Sequence, residues 1–449
     1  MGPVARRITT VVVVMVVAGC SATTTTPSSS SVATVSPSPA GSTLSAAANP
    51  APSESLSTAA SPASTAAPFP LLVIARRTSR GPVVSFVYDA AQAATDVATL
   101  PGDANGSIAS MAWSGAGRLA LAGQPTATGL GVYAFDRAAG RLALVSAAAD
   151  PGCTAVGVRS IGWTRATIVF DVTHDPTRGQ CVDGLVRVDP ATGVRAHVDA
   201  PIDAVHWAVS PDGGAIAHDS LVMTLSISDL ATGASRVVGG IQHKTDSAWS
   251  PDGTRVLYVD PGTGSAQLVT APRDPSGTPV DLTSAAVGVA GFDHVGWGAD
   301  ANTVFFRSWK RGCQSGCDGF YRLDISAGTL TKIAPLPDLH QEAWNNNFGY
   351  VFDWALSPDG TQVAYDLTPA PGRPTEILVV DAIGRSAPIT LSAPGEDARF
   401  LGWASPGVVA YQTDAGIVLV KADGSGRSVI PVADVTAVAL ASGSIAHRW

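Results

Sequence analysis

Lysine is almost missing from this chain. Only four of its 28 basic residues are Lys, against 36 Asp and Glu, and the formal net charge is −8. No cluster of basic residues interrupts that balance, so a surface that tracks a phosphate backbone is excluded and nucleic acid is not an expected partner. Charged residues make up only 14% of the sequence, little for a soluble protein. No apolar run reaches the roughly 20 residues that a helix needs to cross a bilayer. The catalytic signatures are missing too: there is no G-x-S-x-G elbow, no H-E-x-x-H, no Walker A loop and no G-x-G-x-x-G. These gaps remove the commonest serine-hydrolase, zinc-protease, nucleotide-hydrolase and dinucleotide-binding classes. No cofactor and no metal ion are expected.

What is abundant is punctuation. The 449 residues hold 46 Gly and 32 Pro, the composition of many short strands joined by turns. The N-terminus is different. Arg6 and Arg7 precede a short apolar stretch, Ile8 to Ala18, and then Gly19 and Cys20. A positive start, a short apolar centre and small residues before a cleavage point make a signal peptide. The run Val17-Ala18-Gly19-Cys20 resembles a bacterial lipobox. That resemblance implies cleavage before Cys20, acylation of its thiol and of the new N-terminus, and attachment to the outer side of the bacterial cell membrane. Two or three acyl chains anchor stably where one does not. Residues 20–68 follow, almost entirely Ser, Thr, Ala, Pro and Val, with Glu54 the only charge. Such a segment buries too little to offset its ordering entropy and is expected to be a disordered spacer. The organisation expected is therefore signal peptide 1–19, tethered linker 20–68 and one folded domain 69–449.

The folded part repeats itself. Trp113, Trp163, Trp207, Trp249, Trp297, Trp354 and Trp403 recur every 42 to 57 residues, each followed by a turn and a β-rich run, as in "WSPDGTRVLYVD". Further on, most units carry a strand ending in Asp and a Gly turn, as in "LSISDLATG" and "ILVVDAIG". Units of roughly 40–50 residues with four strands each are the mark of an all-β propeller. In the Ser-Pro-Asp-Gly corner, Pro presets φ, Asp caps the turn and Gly accepts a positive φ, so the corner is scaffold. The Trp is expected in the wedge between neighbouring blades. Seven units begin with a Trp. Three strands precede the first, and one, "VTAVALASGSIAHRW", follows the last. Joining the two chain ends makes an eighth blade and leaves no open edge; seven blades with the end strands packed elsewhere is the alternative. These residues resemble the TolB-like, WD-repeat-like β-propeller family over residues 70–449, and the resemblance implies the fold and no particular partner.

Every irregular feature falls on the face opposite the Ser-Pro-Asp-Gly corners. Cys153 and Cys181 lie in connections of one unit, and Cys313 and Cys317 share a loop three units away. Four cysteines allow three pairings, and blade geometry favours Cys153–Cys181 and Cys313–Cys317 in an oxidising compartment. A four-cysteine zinc site does not fit the C-x3-C spacing. His174 and Asp175 with Asp183, near Cys181, read either as a small polar cluster or, the preferred reading, as a solvated loop. The longest loop, 336–354, carries His340, Glu342, Trp344, Asn345, Asn346 and Tyr350, and its neighbour carries Trp309, Lys310 and Arg311. Aromatic and amide groups together suit a sugar or a peptide, while the same loop would equally plug a wide funnel. The expected function is a monomeric, membrane-tethered scaffold that binds an envelope protein or glycan without catalysis. The alternative is an envelope enzyme acting on glycans or peptides at the funnel mouth.

Overall fold

A computed structural model describes residues 70–440 apart from short connecting segments: 89–92, 101–105, 115–117, 125–128, 176–180, 182, 199–205, 220–222, 242–246, 263–265, 287, 311–317, 337–352 and 370–371. The described residues hold strands and turns and no helix, and form eight four-stranded antiparallel sheets. The protein is an eight-bladed β-propeller. We number the blades I to VIII in chain order. Their inner strands are Val435–Leu440, Ser107–Trp113, Ala155–Trp163, Trp207–Val209, Ser247–Trp249, Val289–Trp297, Trp354–Leu356 and Arg399–Ser405.

Blade I is the seam of the ring. Its three outer strands, Leu72–Thr78, Gly81–Val87 and Thr95–Thr99, come from the start of the domain, and its inner strand comes from the end. The closing register pairs Leu72 with Leu440, Val73 with Ala439, Ile74 with Val438 and Ala75 with Ala437. This is the two-ended eighth blade expected from the sequence.

There is no single core. Eight apolar clusters fill the eight seams between adjacent blades. The middle strands are consequently buried on both faces and read as continuous apolar runs, as in Gly416–Lys421 (GIVLVK) and Arg255–Asp260 (RVLYVD). The outer strands face solvent and lose that pattern: in Arg141–Ala147 no residue is buried. The III–IV seam is the thinnest, with only Val169, Leu185, Val198 and Ile216 fully buried among the described residues.

The tryptophans staple the seams. Trp163 donates its indole N–H to the Ala112 carbonyl (3.1 Å), Trp249 to Ala208 (2.9 Å), Trp297 to Ala248 (3.0 Å), Trp354 to His294 (2.7 Å) and Trp403 to Ala355 (2.9 Å). Each acceptor belongs to the inner strand of the preceding blade. The ring nitrogen thus satisfies a backbone group while the ring body buries apolar area.

The seven Trp residues are not equivalent. Trp207 pairs with His218 and Trp354 with Tyr365, 11 residues on, whereas Trp249 pairs with Val256 and Trp297 with Val304, seven residues on. Two inner-strand positions point into the seam, so Trp at either fills it. The early-register rings lie against a glycine of the blade before. A Cβ on Gly162 would come 3.0 Å from the Trp207 ring, and one on Gly296 would come 2.6 Å from that of Trp354. The Gly-Trp dipeptides at 162–163 and 296–297 therefore serve two seams each, the Trp backwards and the Gly forwards.

The corners behave as turn chemistry dictates. In blade V, Ser250 Oγ donates to Asp252 Oδ1 (2.6 Å), Asp252 Oδ1 accepts from Thr254 N (3.0 Å), and Ser250 Oγ accepts from Arg255 N (3.0 Å). Blades IV and VII repeat this with Ser210 and Asp212, and with Ser357 and Asp359. Gly253 has φ 69°, a conformation that side chains with a Cβ seldom adopt. Three or more hydrogen bonds to the Asp252 carboxylate, with the Ser250 hydroxyl foremost, hold its pKa below the usual range.

Candidate functional site

The inner strands enclose a central channel of about 830 Å³. Its wall is mostly small or apolar. Ala109, Ala112, Gly162, Ala208, Ala248, Gly296, Ala355 and Ala437 line it, with the inner edges of the tryptophans and one charged side chain, Arg159. Small residues on inner strands follow from crowding: eight strands converge there, and only short side chains leave a bore. A second cavity of about 790 Å³ lies between blades IV and V on the corner side, edged by Asp212, Asp229 and Arg273. There Arg273 joins Asp212 at 2.8 Å and Asp229 at 3.4 Å.

Away from the corners, the seam between inner and second strands carries a collar of partnered polar groups. In blade III, Arg159 meets the fully buried Asp171 at 2.7 Å. In blade IV, Asp219 accepts from His206 N (2.7 Å) and lies 3.1 Å from His206 Nδ1. In blade VI, Arg307 contacts Asp293 at 2.7 Å, and His294 lies 3.1 Å from the same carboxylate. In blade VII, Asp366 Oδ1 accepts from Asp353 N (2.6 Å). Each group sits near the end of a second strand, as in Ile168–His174 (IVFDVTH) and Gln362–Leu367 (QVAYDL). It closes the backbone or side chain of the inner strand beside it. Burial raises the Asp171 pKa to about 6 against the opposing pull of Arg159, and raises that of Asp366 to about 7.

The collar was not singled out from the sequence. A lone Asp or Arg closing an apolar run reads as a residue emerging into solvent. The signal is the recurrence of a charged residue at that place in "IVFDV", "IAHDS", "VFFRS" and "VAYDL". One expectation is corrected. His174 is buried, 4% exposed, with its backbone and imidazole facing Asp183 and its Nε2 3.4 Å from Asp150 N. It packs inside blade III because strand Ile168–His174 runs on into the covered end of the blade, where a solvated loop was expected.

Cys153 and Cys181 form a disulfide with their Cα atoms 5.7 Å apart, the pairing expected from blade geometry. Trp309 and Lys310 end the second strand of blade VI, where their backbones pair with Ala290 and Val289. Arg311, Cys313, Cys317, His340, Glu342, Trp344, Asn345, Asn346, Tyr350 and the expected lipidation site Cys20 lie outside the described residues. Among the described residues no group of three or more His, Cys, Asp or Glu is placed to hold a metal ion.

No family model matches the chain, and no curated protein matches it in sequence. Several solved structures are similar to it over part of their length. It is similar to TolB from Acinetobacter baumannii (18% identity, 70% of this chain and 80% of that one, TM-score 0.38). It is also similar to oligogalacturonate lyase from Vibrio parahaemolyticus (12% identity, 59% and 73%, TM-score 0.41) and to a GH74 xyloglucanase from Xanthomonas campestris (13% identity, 75% and 54%, TM-score 0.44). Propellers carry many functions, and what the chain's own eight four-stranded antiparallel sheets establish is the architecture: it is an eight-bladed β-propeller of four-stranded blades.

Proposed function

We propose that the protein is an exported, lipid-anchored β-propeller that binds an envelope protein or glycan at the end of its channel opposite the corner turns, and that it acts as a scaffold. The observation that carries this reading is the collar. Its charges are spent on partners within the ring, Arg159 on Asp171 and Arg307 on Asp293, so they hold strands together around an open bore of about 830 Å³. The outer strand of blade VI ends at Pro335 and the inner strand of blade VII begins at Trp354, so the described strands on either side of the Trp344 segment stop at the end of the ring opposite the corners. Anchoring rests on the Val17-Ala18-Gly19-Cys20 run.

Two measurements test it. Cys20→Ala should move the protein from the membrane to the soluble fraction, and a variant that stays in membranes overturns the anchor. The domain lacking its first 68 residues should recover a partner from envelope extract or a signal on a glycan array. Trp344→Ala with Asn346→Ala should abolish that recovery while the melting temperature holds. A variant that melts lower yet binds normally makes the loop a plug instead of a binding site.

One observation favours the enzymatic alternative. His206 is held through Nδ1 by the buried Asp219 while its side chain stays 31% exposed, the arrangement of an oriented general base. If that reading holds, His206→Gln should lower turnover of a glycan or peptide substrate by 10²–10⁴-fold. Unchanged turnover removes it.

A further inference from the structure

Blade VII departs from the rest of the collar. Asp171, Asp219 and Asp293 each face an Arg or His of their own blade, whereas Asp366 faces a second acid, Asp353. Asp366 is fully buried. Its Oδ1 accepts from Asp353 N at 2.6 Å and its own N–H donates to the Asp353 carbonyl at 3.0 Å, while the Phe400 backbone faces the carboxyl from the next blade without a formed hydrogen bond. Asp353 leads into the inner strand of blade VII and Phe400 lies on that of blade VIII. One carboxyl thus ties down the inner strand of its own blade and borders that of the next, while its other oxygen, Oδ2, is buried with no hydrogen-bond partner.

We propose that the Asp366 carboxyl is a proton-operated lock between blades VII and VIII, closed in acid and loosened toward alkaline pH. Protonated, the group keeps the Asp353 N–H bond through Oδ1 and puts no charge into the seam. Ionised, it leaves a buried charge with one unsatisfied oxygen beside the Asp353 carboxyl, and burial of such a charge is costly unless it is paired.

The surrounding groups bear this out. Asp353, on the same blade, disfavours ionisation, and His294 of blade VI favours it. His294 is engaged with Asp293, which also holds Arg307. Ile377 stands opposite on the third strand, and Arg399, beside Phe400 on blade VIII, is exposed. Burial prevails, and the group titrates near 7. The folded protein therefore holds this proton more tightly than the unfolded chain does. The stabilisation is complete in acid and is lost as pH rises through about 7, the reverse of a salt-bridged carboxylate. Because Trp354, Ala355 and Leu356 line the channel, the lock acts on the channel wall.

Hydrogen exchange of the full chain, corrected for the intrinsic pH dependence, tests this. Protection in Trp354–Leu356, Gln362–Leu367 and Arg399–Ser405 should fall on the order of fiftyfold between pH 5 and pH 8. The inner strand of blade II should keep its protection. Asp366→Asn, which keeps the accepting oxygen and cannot ionise, should abolish the fall. Asp171→Asn, which removes a second fully buried carboxyl whose pKa burial also raises, should leave it intact, and it keeps the test decisive if the Asp366 variant does not fold. A flat wild-type profile overturns the proposal, as does a fall that persists in Asp366→Asn or disappears in Asp171→Asn.

Discussion

Trp403→Ala is expected to cost about 3–5 kcal/mol and to lower the urea midpoint more than any other single Trp replacement. Trp403 is the one seam tryptophan with no exposed surface, and it sits in the VII–VIII cluster with Phe400, Val409 and Tyr411. Truncation empties a large volume that rigid strands on both sides cannot refill. It also strips the Ala355 carbonyl of the indole N–H at 2.9 Å, and an unpaired buried acceptor adds its own penalty. Trp403→Phe separates the two terms, since it keeps most of the apolar area and loses only the donor. A loss of about 1–2 kcal/mol for Phe beside the larger loss for Ala is the expected pattern. Equal losses for the two variants would mean that the hydrogen bond, and not the packing, holds the seam.

Cys153→Ser with Cys181→Ser is expected to cost roughly 3.6 kcal/mol, from the loop-closure entropy that a bridge between residues 28 apart removes from the unfolded chain. Local effects should exceed that average. The bridge lies in blade III, whose seam with blade IV has the smallest buried apolar cluster of the eight among the described residues. Around it, Arg195 grips Asp150 at 2.8 Å and also bonds the Ala147 and Ala148 carbonyls. Hydrogen exchange should therefore accelerate first in Ile168–His174 and Ala215–Asp219, with blades VI and VII unchanged. Uniform acceleration around the ring would show instead that the blades unfold as one unit and that the III–IV seam has no special weakness.

Architecture was legible because it is written in local chemistry. A turn such as Ser250-Pro251-Asp252-Gly253 folds from its own residues, and an apolar wedge such as Trp249 announces a seam wherever it stands. Blade count then followed from unpaired strands at the two ends, which the Leu72–Leu440 register joins. The two Trp registers are written in the spacing to the corner, three residues from Trp207 to Ser210 and one from Trp249 to Ser250, but that spacing gains its meaning only from the strand partner. The collar was not legible. A buried ion pair such as Arg159–Asp171 joins residues that are individually unremarkable, and only the ladder brings them together. The disulfide stood between these cases: spacing left three pairings open, and the placement of loops on one blade selected the observed one.

The closure of blade I has a mechanical consequence. The chain before Pro70 leads directly into Leu72–Thr78, and that strand is flanked on one side by Gly81–Val87 and on the other by Val435–Leu440. Tension pulled along that leading segment would load both ladders in shear, with many hydrogen bonds resisting at once instead of opening one after another. The strand that takes the pull is also the one that latches the ring, so a force large enough to extract it would release both ends of the propeller together. Below that threshold the pull falls first on the two ladders of blade I.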